Sequence, residues 1–223
     1  MHELLGDAAS QDTNGASRRH VLAALGIAAA APAALGADAL AQVKGEGKNT
    51  KKKRRNKRKK DKKGDIAILN YALTLEHLEY AFYRDGLTTY GAGDFDPGVY
   101  NRLLEIRDHE QAHVNALTQT IQGLGGTPVA EACYDFGYAT PGQFLDVAQV
   151  LENTGVSAYD GAIAGIKSGD LQTTGATIAT VEARHASYLN SLNGDDPFPA
   201  AFDTPLTQQE VLAAAGGFIV TCS

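Results

Sequence analysis

From Asp65 onward, apolar residues recur at spacings of three and four. The stretch "DIAILNYALTLEHLEYAFYRDGL" puts Ile68, Leu69, Ala72, Leu75, Leu78 and Phe82 on one broad face, which predicts an amphipathic helix starting near Asp65. "GAGDFDPG" breaks the pattern, with Asp96 placed as an N-cap and Pro97 at the first helical position, so a second helix is expected from 97 to 123. "GLGGTPVAEACYDFGYAT" is rich in glycine and turn formers. Thr140-Pro141 opens a third helix running to Lys167, and Asp170 caps a fourth running to Leu192. Thr207 and Glu210 have the capping-box spacing of a short fifth helix that stops at Gly216-Gly217. Strand signals are weak throughout, which makes the domain all-α.

The connections run short, long, short. A helix of about 25 residues is about 37 Å long. The stretch from Gly125 to Thr140 can span about 50 Å when extended, enough to return along the whole bundle. The two short links can only form hairpins. One long crossover between helices 2 and 3, joining two antiparallel hairpins, is the connectivity of a ferritin-like four-helix bundle.

Polar residues interrupt the buried stripes at matched places. In "RDHEQAHVNAL", Glu110 and His113 stand one turn apart on a helix whose apolar stripe includes Ile106, Leu117 and Ile121. "VEARHASYLNSL" repeats the arrangement with Glu182 and His185, and a leucine follows each histidine by four positions. The first and third helices are related too: "LEHLEYAFY" (75–83) aligns with "LENTGVSAY" (151–159), matching Glu76 to Glu152 and Tyr83 to Tyr159. Each hairpin therefore offers one Glu, then Glu-x-x-His. Positions i and i+3 share a helix face, so each Glu-x-x-His pair can reach one metal ion. Carboxylates bridge cations and imidazole caps them, which is the ligand logic of di-iron and di-manganese carboxylate bundles. Four buried carboxylates without cations would repel one another and resist ionisation. Glu76, Glu110, His113, Glu152, Glu182 and His185 are thus the expected ligands, with two iron ions as the expected cofactor and manganese as the alternative. A polar bundle seam held by Glu–His hydrogen bonds is the non-metal reading.

Other residues near these positions are read more plainly. Glu79 follows Glu76 by one turn and is expected to be solvated or to sit outside the ligand set, an extra ligand being the alternative. His77 and His109 adjoin ligand positions and are expected at the surface. Tyr83 and Tyr159 either donate to the cluster or pack beneath it. Asn70 and Asp146 occupy corresponding places and are candidates to orient the histidines.

Charge divides the chain. Residues 44–63 hold 13 of the 20 Lys and Arg, while residues 64–223 carry five against 20 Asp and Glu, a net of −15. The basic run "KGEGKNTKKKRRNKRKKDKK" has no interleaved aromatics, so it implies affinity for polyanions and no specific nucleic-acid recognition. An anionic envelope polymer is the expected partner, and residues 42–64 are otherwise expected to be a disordered linker. Upstream, Arg18-Arg19, an Ala-rich stretch and Ala39-Leu40-Ala41 read as a twin-arginine export signal over residues 1–41 with a small-x-small cleavage site. An N-terminal membrane anchor is the competing reading. The expected location is periplasmic, cell-envelope or extracellular. In such a place Cys133 and Cys222 are expected to form a disulfide, two buried thiols being the other arrangement.

The pieces "YALTLEHLEYAFY", "HEQAHVNAL", "YDFGYAT", "LENTGVSAY", "VEARHASYL" and "FDTPLTQQEVL" lie in order through residues 65–223. Together they resemble the exported bacterial ferritin-like domain proteins related to desiccation-associated proteins. The resemblance implies a ferritin-like fold and the same six ligands, none of them replaced. The expected activity is a di-iron oxidoreductase, ferroxidase- or peroxidase-like, acting on oxygen or peroxide in a stress-protective role. The alternative is a non-catalytic stress or envelope-binding protein with a structural metal.

Overall fold

The computed structural model describes the backbone of residues 39–222 and the side chains of residues 50–222. The expected export signal lies outside the described residues up to residue 38. The chain divides into two units, residues 1–47 and 48–223, and the second contains the bundle. Among the described residues there are five α-helices: α1 (Ala39–Thr89), α2 (Val99–Gly123), α3 (Pro141–Ile163), α4 (Gly169–Leu192) and α5 (Gln208–Ala215). Two short antiparallel segments, β1 (Cys133–Tyr134) and β2 (Ile219–Val220), and two 3-10 turns, Ala92–Asp94 and Gly216–Phe218, complete the regular structure of the described residues. The all-α expectation is met. No described helix is long and apolar enough to cross a membrane.

The basic run is helical: α1 continues back through it to Ala39, and residues 51–60 are exposed on that helix. Lys and Arg are good helix formers. The bundle-packed part of α1 supplies the nucleus, so extension avoids the cost of nucleation, and water screens the repulsion between the side chains.

Three helix ends differ from the expected bounds. Helix α2 begins at Val99 after Gly98, whose φ of 90° suits glycine, and the carbonyl of Asp96 accepts from Val99 N at 3.1 Å. Pro97 therefore lies in the turn. Helix α3 stops at Ile163, where Gly165 N and Ile166 N turn back onto the carbonyls of Ala162 and Ile163. The α3–α4 turn is secured from another helix: the buried Asp65 carboxylate of α1 accepts from Lys167 N at 2.7 Å and Ser168 N at 3.2 Å. Asp170 falls in the first turn of α4, whose N-cap is Ser168. Helix α5 has the expected capping box between Thr207 and Glu210.

The long crossover lies along α1, held by residues seven apart on that helix. Asn70 donates to the carbonyl of Thr127 and accepts from Val129 N at 2.6 Å; His77 Nε2 meets Val129 O at 3.2 Å; Arg84 pairs with Glu131 at 2.9 Å. Asn70 thus serves the crossover and not a histidine, and Asp146 is exposed. Cys133 and Cys222 are joined by a disulfide beside the β1–β2 pair, which lashes the C-terminal segment to the end of the crossover.

Apolar side chains form two main layers. One gathers Leu78, Phe82, Leu103, Ile106, Phe144, Leu151 and Leu189; the other gathers Leu69, Leu73, Leu117, Ile121, Tyr159 and Ile178. On each of α1 to α4 the polar positions fall between residues of these layers. The site is thereby enclosed in the bundle and kept from bulk water.

Candidate metal centre

The six expected ligands come from four helices: Glu76 from α1, Glu110 and His113 from α2, Glu152 from α3, and Glu182 and His185 from α4. All six are buried, and the four carboxylates have no measurable exposure. They form two overlapping sets, Glu76, Glu110, His113 and Glu182 in one, Glu110, Glu152, Glu182 and His185 in the other. Within each set the ligand atoms lie within 4.8 Å of one another. Glu110 and Glu182 belong to both. Two carboxylates shared, with one Glu and one His added on each side, is a donor set suited to a pair of cations.

The histidines aim their Nδ1 atoms inward. His113 Nδ1 is 3.2 Å from Glu76, 3.2 Å from Glu110 and 3.0 Å from Glu182; His185 Nδ1 is 3.1 Å from Glu110 and 3.2 Å from Glu152. Glu76 Oε2, Glu110 Oε1 and Glu182 Oε1 are buried close to these histidine nitrogens but outside hydrogen-bond geometry, and Glu182 Oε2 is buried with neither a hydrogen bond nor an ion pair. Orphaned buried carboxylate oxygens are costly unless a cation satisfies them, and their presence here fits a metal centre.

Tyr83 and Tyr159 hold the two unpaired glutamates in a crossed arrangement. The Tyr83 hydroxyl on α1 donates to Glu152 on α3 at 2.7 Å, and the Tyr159 hydroxyl on α3 donates to Glu76 on α1. Rising numbers on one helix meet falling numbers on the other, so α1 and α3 run antiparallel and each hairpin braces a ligand of the other. Burial first, then the facing carboxylates, push both phenols well above their usual range, so they remain proton donors.

The electrostatics record a crowd of carboxylates. Burial raises Glu76 to about 7, with His113 opposing the shift. Burial and neighbouring carboxylates raise Glu182 and Glu79 well above the usual range. Glu110 also feels burial, but its contacts with both histidines outweigh it and bring it down to about 2. Burial would lower the histidines, yet the surrounding carboxylates prevail: His185 rises to about 9 and His113 further still.

The structure narrows the sequence reading of two further side chains. Glu79 is not solvated but buried, facing Gly155: a Cβ there would stand 2.9 Å from Glu79 Oε1 and 3.5 Å from Glu182 Oε2. His109, though exposed, does not simply point away. Its Nδ1 meets His185 Nε2 at 2.9 Å, linking that candidate ligand to the surface. Adjacency along α2 could not disclose that contact, because it is made across to α4.

This bundle and its paired Glu/Glu-x-x-His sites define a ferritin-like protein. The ferritin-like domain family matches residues 64–195, and the chain belongs to that family. Protein rds1 of Schizosaccharomyces pombe is similar to it, 29% identical over 164 residues that cover 71% of this chain and 40% of that one; the chain spans about two-fifths of that relative's length. A conserved hypothetical protein from Mycobacterium tuberculosis, known from a crystal structure, shares the fold with a TM-score of 0.53 and 23% identity over 64% of this chain and 99% of that one.

Proposed function

We propose that the chain is an exported di-iron oxidoreductase that oxidises ferrous iron or reduces oxygen or peroxide in a stress-protective role outside the cytoplasm. One observation carries the metal reading: two buried four-residue sets share Glu110 and Glu182, and four of the carboxylate oxygens involved lack a hydrogen bond, Glu182 Oε2 lacking an ion pair as well. Glu110 and Glu182 would serve both ions, Glu76 with His113 one of them, and Glu152 with His185 the other. Iron, when bound, supplies one-electron redox chemistry toward oxygen or peroxide. The protein's part is to bind, orient and exclude. Tyr83 and Tyr159 fix the rotamers of Glu152 and Glu76. The apolar layers keep bulk water from the cluster, which strengthens every charge interaction inside it. A neutral His185 that gives Nδ1 to a metal carries its proton on Nε2, where His109 Nδ1 accepts it. Export rests on the twin arginine and the small-x-small site of the leading segment.

The test is metal content per chain after iron supplementation, in the parent and in a Glu110→Ala/Glu182→Ala variant. About two irons are expected in the parent and few in the variant, as the di-metal bundles require. Oxygen uptake on adding ferrous iron should then accompany loading. Absence of specific metal from both proteins would leave a polar seam and defeat the proposal.

A second reading is favoured by the exposed basic helix at residues 51–60. In it the metal is structural and residues 44–63 bind an anionic envelope polymer. Retention on such a polymer, weakening as salt rises, together with no oxygen uptake by the iron-loaded protein, would select this reading.

A further inference from the structure

The repeat that relates the two hairpins is broken at one buried position. Aligning Glu76 with Glu152 and Tyr83 with Tyr159 sets Glu79 against Gly155. The structure brings these two unlike residues face to face, in the same antiparallel register that crosses the tyrosines. Glu79 is buried, and its Oε1 occupies the space that a side chain at position 155 would fill. Glu182 Oε2 borders the same space and has neither a hydrogen bond nor an ion pair, the other Glu182 oxygen facing His113. A glutamate in one repeat is thus accommodated by the missing side chain of the other. For packing alone, an apolar residue at 79 would have filled the gap without burying a fifth carboxylate beside four others, at considerable desolvation cost.

We propose that Glu79 is a fifth carboxylate ligand of the centre, seated in the gap left by Gly155 on the Glu182 side, and that it biases the centre toward trivalent over divalent cations. The inference rests on the metal-centre reading. Four carboxylates and two neutral histidines balance two divalent ions. A fifth carboxylate leaves an excess of negative charge with divalent ions and offers a hard oxygen donor to ions of higher charge. Because Glu79 has only Gly155 at the matching place, the two halves of the site are unequal.

The experiment measures binding of gallium(III), a redox-inert trivalent probe, and of manganese(II) to the full-length metal-free protein by competition against a chelator. The parent is compared with Glu79→Gln and Gly155→Ala. Glu79→Gln keeps the shape and removes the charge; Gly155→Ala keeps Glu79 but places a methyl group 2.9 Å from its Oε1. Each should weaken gallium binding by at least about tenfold while changing manganese binding much less. Folding of each variant is checked by its circular dichroism and melting curve. Glu79→Gln binding both ions as the parent does would overturn the role of Glu79 and leave the metal centre standing. An equal loss for both ions would overturn the charge preference, and a parent that binds neither ion would overturn the centre itself.

Discussion

At the scale of single residues, the centre is governed by how carboxylates and imidazoles share protons when packed away from water. Glu76, Glu79 and Glu182 hold protons in the folded state more tightly than an unfolded chain would, and so do His113 and His185. For groups raised in this way, the stability they contribute is present below the unfolded pKa and is lost as pH rises through the folded one. Glu76 acts up to about 7 and His185 up to about 9, while Glu110, held at about 2, works in the opposite sense: its contribution is present above the unfolded carboxylate pKa and is lost as pH falls toward 2. The metal-free protein should therefore lose stability between roughly pH 5 and roughly pH 9, with a drop in melting temperature of at least about 5 °C. Metal binding requires the deprotonated ligands, so the loaded protein should be protected increasingly over the same range. Melting curves of both forms across pH test this; a metal-free melting temperature that rises with pH would contradict it.

At the scale of elements, the sequence announced what each helix does for itself but not what it does for another. The Thr207/Glu210 capping box was legible because its partners lie three residues apart. Asp65 looked like an ordinary residue at the start of a helix, yet it secures the α3–α4 turn more than 100 residues away, with both carboxylate oxygens engaged. Substituting it leaves two backbone N–H groups without that partner. Asp65→Ala should cost about 1–3 kcal/mol, read from denaturant unfolding, whereas Lys62→Ala on the exposed part of the same helix should be close to neutral. An effect on Asp65→Ala no larger than the control would show that water replaces the contact. The extension of α1 through the basic run was hidden for a related reason. Local charge density argued against order, while the nucleus for that helix lies in the bundle.

At the scale of the whole molecule, the disulfide and the metal centre restrain different parts of the fold. Cys133 and Cys222 are separated by 89 residues and close a loop that contains α3, α4 and α5. Restricting so long a loop in the unfolded chain is worth about 3–5 kcal/mol. A Cys133→Ser/Cys222→Ser variant should melt lower by about 6–20 °C yet keep its metal stoichiometry, because no ligand lies in the lashed segment after residue 185. Loss of metal from that variant while it remains folded would show that the lash positions the ligands. By itself the sequence determined the helix periodicity, the short-long-short connections and the six Glu and His of the repeat, since each is written in spacings along one chain. Only the tertiary structure decided that Tyr83 and Tyr159 cross to the opposite repeat, that His109 meets His185, and that Glu79 lies over Gly155. Those contacts depend on the register between separate helices, which packing sets and local spacing does not encode.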